Sequence, residues 1–197
     1  MSFRVGGCRV SVSFLFTAVL AFLLFYDGRG ASLSGLGAAA CHEAGHLAAM
    51  GWVKSRPKEL RFTPFGVELV RAGEEGGSYR QDMAVSLSGP AANLLLCALC
   101  ALLGWRDSLF FQGNLLLAAM NLLPVESLDG GQALYSALCP RLGPKRAGWT
   151  VQAVSFLLLL PLACLSFLLL LRSHYNISLL LVTLYLICLL TKRGRFF

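Results

Sequence analysis

Ala39-Ala40-Cys41-His42-Glu43-Ala44-Gly45-His46-Leu47-Ala48 sets the frame for the rest of the chain. Its surroundings are small and apolar, which predicts a helix, and on a helix positions i and i+4 share a face. His42 and His46 then present two imidazoles to one point, with Glu43 beside them in reach of a water proton. Two histidine ligands with an adjacent general base make a metal-dependent hydrolytic site. The bland alternative is a pair of helix-buried histidines hydrogen-bonded to neighbours, with Glu43 snorkelling to water. The setting weighs against it, because a charged group at mid-bilayer costs roughly 2.5–3.5 kcal/mol and is kept there for a use.

That setting is read from composition. The 197 residues are 56% hydrophobic and 14% charged, with a mean hydropathy of +0.67. A soluble domain carries more charge, so the class is a polytopic membrane protein. A net charge of +7 then concerns orientation in the bilayer rather than nucleic acid, for which no motif is present. Seven cysteines scattered through apolar runs do not make a secreted disulfide framework. Cys97 and Cys100 lie mid-segment and read as small packing residues. Arg4 and Arg9 before an apolar run resemble a signal peptide, but no clean small-x-small site follows, so the first helix is retained.

A span needs about 20 apolar residues. Six candidates follow, near residues 10–26, 31–53, 83–104, 109–121, 149–171 and 177–190. Asp27-Gly28-Arg29-Gly30 separates the first two. Residues 54–82 form the one sizeable polar interval. Within it, Leu60-Arg61-Phe62-Thr63 and Val67-Glu68-Leu69-Val70 flank Pro64-Phe65-Gly66, which reads as a β-hairpin or, alternatively, as a solvated loop. The third span contains Gly89-Pro90-Ala91-Ala92-Asn93. The fourth breaks at Asn121 to Gly131, and residues 132–138 read as a short helix. The fold expected is therefore all-α and polytopic, six transmembrane helices with a small cytoplasmic-side β-hairpin insertion. It forms one membrane-embedded domain over 1–197, with a core at about 31–138 and accessory helices in 1–30 and 149–190.

Lysine and arginine placement sets the orientation. With both termini in the cytoplasm, 14 of the 17 basic residues lie inside, and only Arg29, Arg106 and Arg172 outside. His46 is then ~10 Å from the cytoplasmic end of its span. Asp129 lies at the cytoplasmic end of the fourth, so the two can meet in the inner leaflet. Pro124 and the glycines at 130 and 131 unwind the chain there, which a membrane tolerates only where backbone lines a protein cavity. His174 falls on the opposite side and reads as an interfacial residue.

Three separated pieces, in order, resemble the site-2 protease family of intramembrane zinc metalloproteases: His42-Glu43-x-x-His46, Gly89-Pro90-x-x-Asn93 and Asn121-x-x-Pro124-x-x-x-Leu128-Asp129-Gly130. The compact six-span form is most similar to the stage IV sporulation FB-type proteases. Those commonly add a soluble nucleotide-sensing domain, and none is expected here because the chain stops at Phe197. The resemblance implies His42, His46 and Asp129 as ligands to Zn2+, Glu43 as the catalytic base, and Asn121 and Asn93 as residues shaping the substrate cleft or its oxyanion site. For Asn121 a helix-to-helix hydrogen bond is the alternative, and for Asp129 an N-cap of the helix starting at Gly130, a role compatible with metal ligation. Glu126, three residues from Asp129, departs from the family's apolar pattern and reads as a cytoplasm-exposed group or one hydrogen-bonding near the metal.

The expected substrate is a membrane-tethered regulatory protein, such as a sigma-factor precursor or an anti-sigma factor. It would be cleaved within or next to the bilayer after unwinding, with the hairpin pairing to the extended peptide. The expected partners are that substrate, a membrane inhibitor or regulator protein and the lipid bilayer, with no nucleic acid. Two competing readings are a cytoplasm-facing membrane zincin of quality-control type, whose third ligand is a Glu on a downstream helix, and a non-catalytic membrane binding protein of the same fold. The Leu-Asp-Gly element argues against the first, and an intact Glu43 against the second.

Overall fold

The helix carrying the two histidines begins where the sequence breaks. In the computed structural model, helix α2 spans Ala31–Trp52, and the Asp27 carboxylate accepts the Ser32 amide at 2.5 Å just ahead of it. That carboxylate meets one of the donors a helix start leaves unpartnered. The structure describes residues 2–173 apart from 6–7, 29, 54–56, 64–65 and 72–77, together with 183–184 and 187–188. The chain is mostly helical and falls into two compact units, Met1–Ala119 and Met120–Phe197.

In the first unit, α1 (Phe14–Tyr26) precedes α2. Helix α3 (Tyr79–Leu102) follows the polar interval, and α4 (Leu109–Asn121) runs into the second unit. Helix α3 starts on a capping box, with the Ser78 side chain and Gln81 exchanging bonds with each other's backbone amides and Asp82 in the first turn. Both features favour a helix start at this position. Its fit to α2 depends on missing side chains. A Cβ at Gly45 would lie 2.6 Å from the Ser88 carbonyl oxygen and 2.8 Å from the Ala92 Cβ. The two backbones thus approach as closely as small-residue seams allow in membrane helices. Ala38, His42, His46 and Met50 are the buried stripe of α2, at intervals of four.

Two strands precede α1: β1 (Ser2–Val5) and β2 (Cys8–Val12). The polar interval supplies β3 (Pro57–Thr63) and β4 (Gly66–Arg71), paired antiparallel. The sheet order is β1-β2-β3-β4, with β2 running parallel to β3 from Arg9 opposite Glu59 to Val12 opposite Phe62. The expected first span, starting near residue 10, therefore starts later, at Phe14. Val10 and Val12 alternate with Arg9, Ser11 and Ser13, and that period of two belongs to a strand.

The second unit is built on the turn after α4. Helix α5 (Asp129–Leu142) starts on Leu128, so Asp129 is its first helical residue rather than its cap. A Cβ on Gly130 would run into the carbonyls of Leu122 and Leu123, and one on Gly131 into that of Val125. Only glycine lets the 122–128 turn fold back over the first turn of α5. Ser155 of α6 (Pro144–Ser173) donates to the Val151 carbonyl and accepts the Glu126 amide at 2.9 Å. The Gln132 side chain donates to the Glu126 carbonyl at 2.8 Å. Val125 and Leu159 pack beneath, with Leu123, Leu128, Leu162 and Ile187 against them. The start of α5 is thus held from both sides.

Two helices among the described residues, Tyr79–Leu102 and Pro144–Leu168, are long and apolar enough to cross a membrane. Helices α1 and α4 have 13 residues each, about 20 Å at 1.5 Å per residue and shorter than a bilayer core. The expected sixth span, 177–190, lies outside the described residues except for 183–184 and 187–188, and so does His174. Several polar side chains are buried beside the apolar core, and many large apolar ones are exposed. Asn93, Asn114, Ser155 and Ser166 are fully buried, while Phe25, Leu102, Leu157 and Leu160 are exposed. Polar groups turned inward and bulky apolar ones outward suit a lipid solvent.

Candidate metal centre

His42 and His46 lie one turn apart on α2, both more than nine-tenths buried. Their rings meet edge to face, and the two Nε2 atoms are 3.2 Å apart. What each ring does on its far side decides its protonation. His46 Nδ1 lies 2.7 Å from the Val85 carbonyl oxygen. A carbonyl only accepts, so that nitrogen carries the proton. Ser88 Oγ donates to the same carbonyl at 2.6 Å.

His42 is settled by one further step. Its Nδ1 lies 2.6 Å from Asn93 Oδ1. The Asn93 amide nitrogen donates to the Ala38 carbonyl at 3.0 Å, so the atom turned to His42 is the amide oxygen, and His42 Nδ1 is the donor. Both rings therefore carry hydrogen on Nδ1, and in a neutral ring that leaves Nε2 as the nitrogen able to bind a metal.

Gly89 keeps the ground beside the two Nε2 atoms clear. A Cβ there would lie 2.8 Å from His42 Nε2 and 2.7 Å from His46 Cε1, so any side chain at 89 would enter the ground between the rings. Two nitrogens bound to one tetrahedral zinc at about 2.05 Å lie about 3.3 Å apart, and the observed 3.2 Å fits. Nδ1–H groups held by carbonyl oxygens are also how metal-bound histidines are usually oriented. The residues present fit the ion.

Of the other residues singled out by sequence, Glu43 is half-buried on the same helix. Asn93 is fully buried, and its amide is engaged with His42, Ala38 and Asn114, so that its oxygen holds the His42 ring. Asn121 ends α4, and Asp129 opens α5, both half-buried in the second unit. Glu126 sits in the turn between them with its backbone tied to Ser155 and Gln132. Sequence reasoning missed the Val85 carbonyl and the clearance at Gly89, which depend on how α2 and α3 cross. It also passed over Asn114, although a polar amide between apolar residues of a span was a signal.

No protein-family model and no curated protein matches the chain. Among solved structures, it is similar to the site-2 protease from Methanocaldococcus jannaschii, with a TM-score of 0.66 and 19% sequence identity, covering 94% of this chain and 92% of that one. At that identity the likeness is one of fold.

Proposed function

We propose that the chain is an intramembrane zinc endopeptidase of the site-2 type, with His42, His46 and Asp129 as ligands and Glu43 as general base. The observation that carries the reading is the pair of imidazoles committed through Nδ1 to carbonyl oxygens, with the two Nε2 atoms 3.2 Å apart beside Gly89. The fold shared with a site-2 protease supports placing that pair in a protease. Two imidazoles and a carboxylate are a donor group of the kind that holds a metal ion. Three protein ligands leave one tetrahedral position for water or substrate.

A zinc ion bound there supplies a water acidified to a pKa of about 7 and a Lewis acid for the scissile carbonyl. The chain's own residues do the rest. Glu43 takes the proton of the attacking water and returns it to the leaving amine. Asn121 donates to the substrate carbonyl or backbone as charge develops. Asn93 and Val85 keep both rings in one tautomer. An extended peptide pairs along β4, an edge strand of the sheet. The substrate is a membrane-tethered regulatory protein of the sigma-factor precursor or anti-sigma type, as the resemblance to sporulation proteases implies. The test is reconstitution in liposomes with a tethered reporter substrate. Cleavage should stop on chelation and return with zinc, and cleavage indifferent to chelators would refute the reading.

Six spans place both termini and residues 54–82 in the cytoplasm, on the strength of the basic asymmetry. The short α4 is continued by the irregular 122–128 backbone, tolerated where it lines protein. Reporter fusions at Glu75 and at the C-terminus should both read as cytoplasmic, and an external signal at either would overturn the topology.

The two nearby carboxylates separate by metal content. Asp129 is the residue at the glycine turn, whereas the Glu126 backbone is bonded to Ser155 and Gln132. Asp129→Ala should lose zinc and all activity. Glu126→Ala should keep the metal and lose activity only in part. The reverse pattern in zinc analysis would show the assignment to be wrong.

A further inference from the structure

We propose that Asn114, on α4, is a positioning residue that fixes which nitrogen of His42 faces the Gly89 clearance, acting through Asn93. Its bearing on metal binding rests on the zinc reading above. Asn93 can hold His42 in the Nδ1–H form only while its amide oxygen points at the ring, and an amide can turn over. A flipped Asn93 would set N–H against N–H at His42 and oxygen against oxygen at Ala38. Asn114 adds a second lock. Its Oδ1 accepts the other Asn93 amide proton at 2.7 Å.

Asn114 is itself fixed, because its amide nitrogen donates to the Phe110 carbonyl one turn earlier at 2.8 Å. Each amide is thus anchored by a backbone carbonyl that can only accept, Phe110 for Asn114 and Ala38 for Asn93. The polarity runs one way from α4 to the ring, and all hydrogen positions follow from it. Both asparagines are fully buried. Two amides buried among apolar helices are costly unless fully bonded, and here they pass a defined polarity to a nitrogen that must stay unprotonated. A merely adhesive Asn114 would bind α3 to α4 with no bearing on the His42 tautomer.

Two measurements on the detergent-solubilised full chain test this. The first is nitrogen NMR of the metal-free protein above the histidine titration range. The chain has only three histidines, so assignment by substitution is simple. Wild type should show His42 as a single Nδ1–H tautomer, and Asn114→Leu or the smaller Asn114→Ala a mixture of the two. A single unchanged tautomer in whichever variant folds overturns the proposal. The second is zinc affinity by chelator competition. Asn114→Ala should weaken binding roughly tenfold, the lower end for groups orienting a metal-bound histidine. In an Asn93→Ala background the same change should have less than about a twofold effect, because its path to His42 is already cut. Equal losses in both backgrounds overturn the proposal. A wild-type chain with the fixed tautomer and no zinc affinity refutes the metal reading while the positioning of His42 stands.

Discussion

Gly89→Ala should weaken zinc binding by about two orders of magnitude while the chain stays helical and membrane-inserted. The added methyl would lie 2.8 Å from His42 Nε2 and 2.7 Å from His46 Cε1, well inside van der Waals contact. Neither ring can yield cheaply, since each is held on its far side, by Asn93 Oδ1 and by the Val85 carbonyl. Swinging a ring away breaks one of those bonds in a buried setting, at roughly 1–3 kcal/mol. Moving α3 outward instead opens the Gly45 seam. Either way the two Nε2 atoms no longer converge, and zinc affinity should fall by about a hundredfold or more, the upper end for losses of ligand orientation. Metal analysis beside circular dichroism checks this. A Gly89→Ala protein with one tightly held zinc would mean the clearance has no bearing on the metal.

Glu43→Gln should leave zinc in place and reduce cleavage by about 10²–10⁴-fold, the range a positioned general base contributes. The amide keeps the size and hydrogen-bonding reach of the carboxylate but cannot take up the water proton. Because Glu43 is not among the ligands proposed, the loss should fall on kcat, with metal content unchanged. Wild-type turnover in this variant would remove Glu43 from the chemistry. Loss of zinc in it would make Glu43 a ligand or a support for one.

The centre was legible in the sequence to the extent that a single helix defines it. His42 and His46 at i and i+4 converge for geometric reasons that need no tertiary knowledge, and their burial is the observed consequence. The helix break at Asp27 and the turn before Asp129 were likewise written in local chemistry. Asn93 shows where such reading stops. The family resemblance of Gly89-Pro90-x-x-Asn93 singled it out, but its role depends on the distance between α2 and α3. Gly45 and Gly89 set that distance jointly, although 44 positions separate them in the sequence. The strands ahead of α1 were obscured for another reason. Hydropathy counting averages over the alternation of Val10 and Val12 with their polar neighbours, and so takes a strand edge for the start of a span.

X-ray absorption at the zinc edge of the purified wild-type chain should show one zinc per chain with nitrogen and oxygen scatterers alone at about 2.0–2.2 Å, two of them with the outer-shell signature of imidazole. A sulfur shell near 2.3 Å, which Cys41 beside His42 would supply, would contradict it, as would a single imidazole or a chain that holds no zinc.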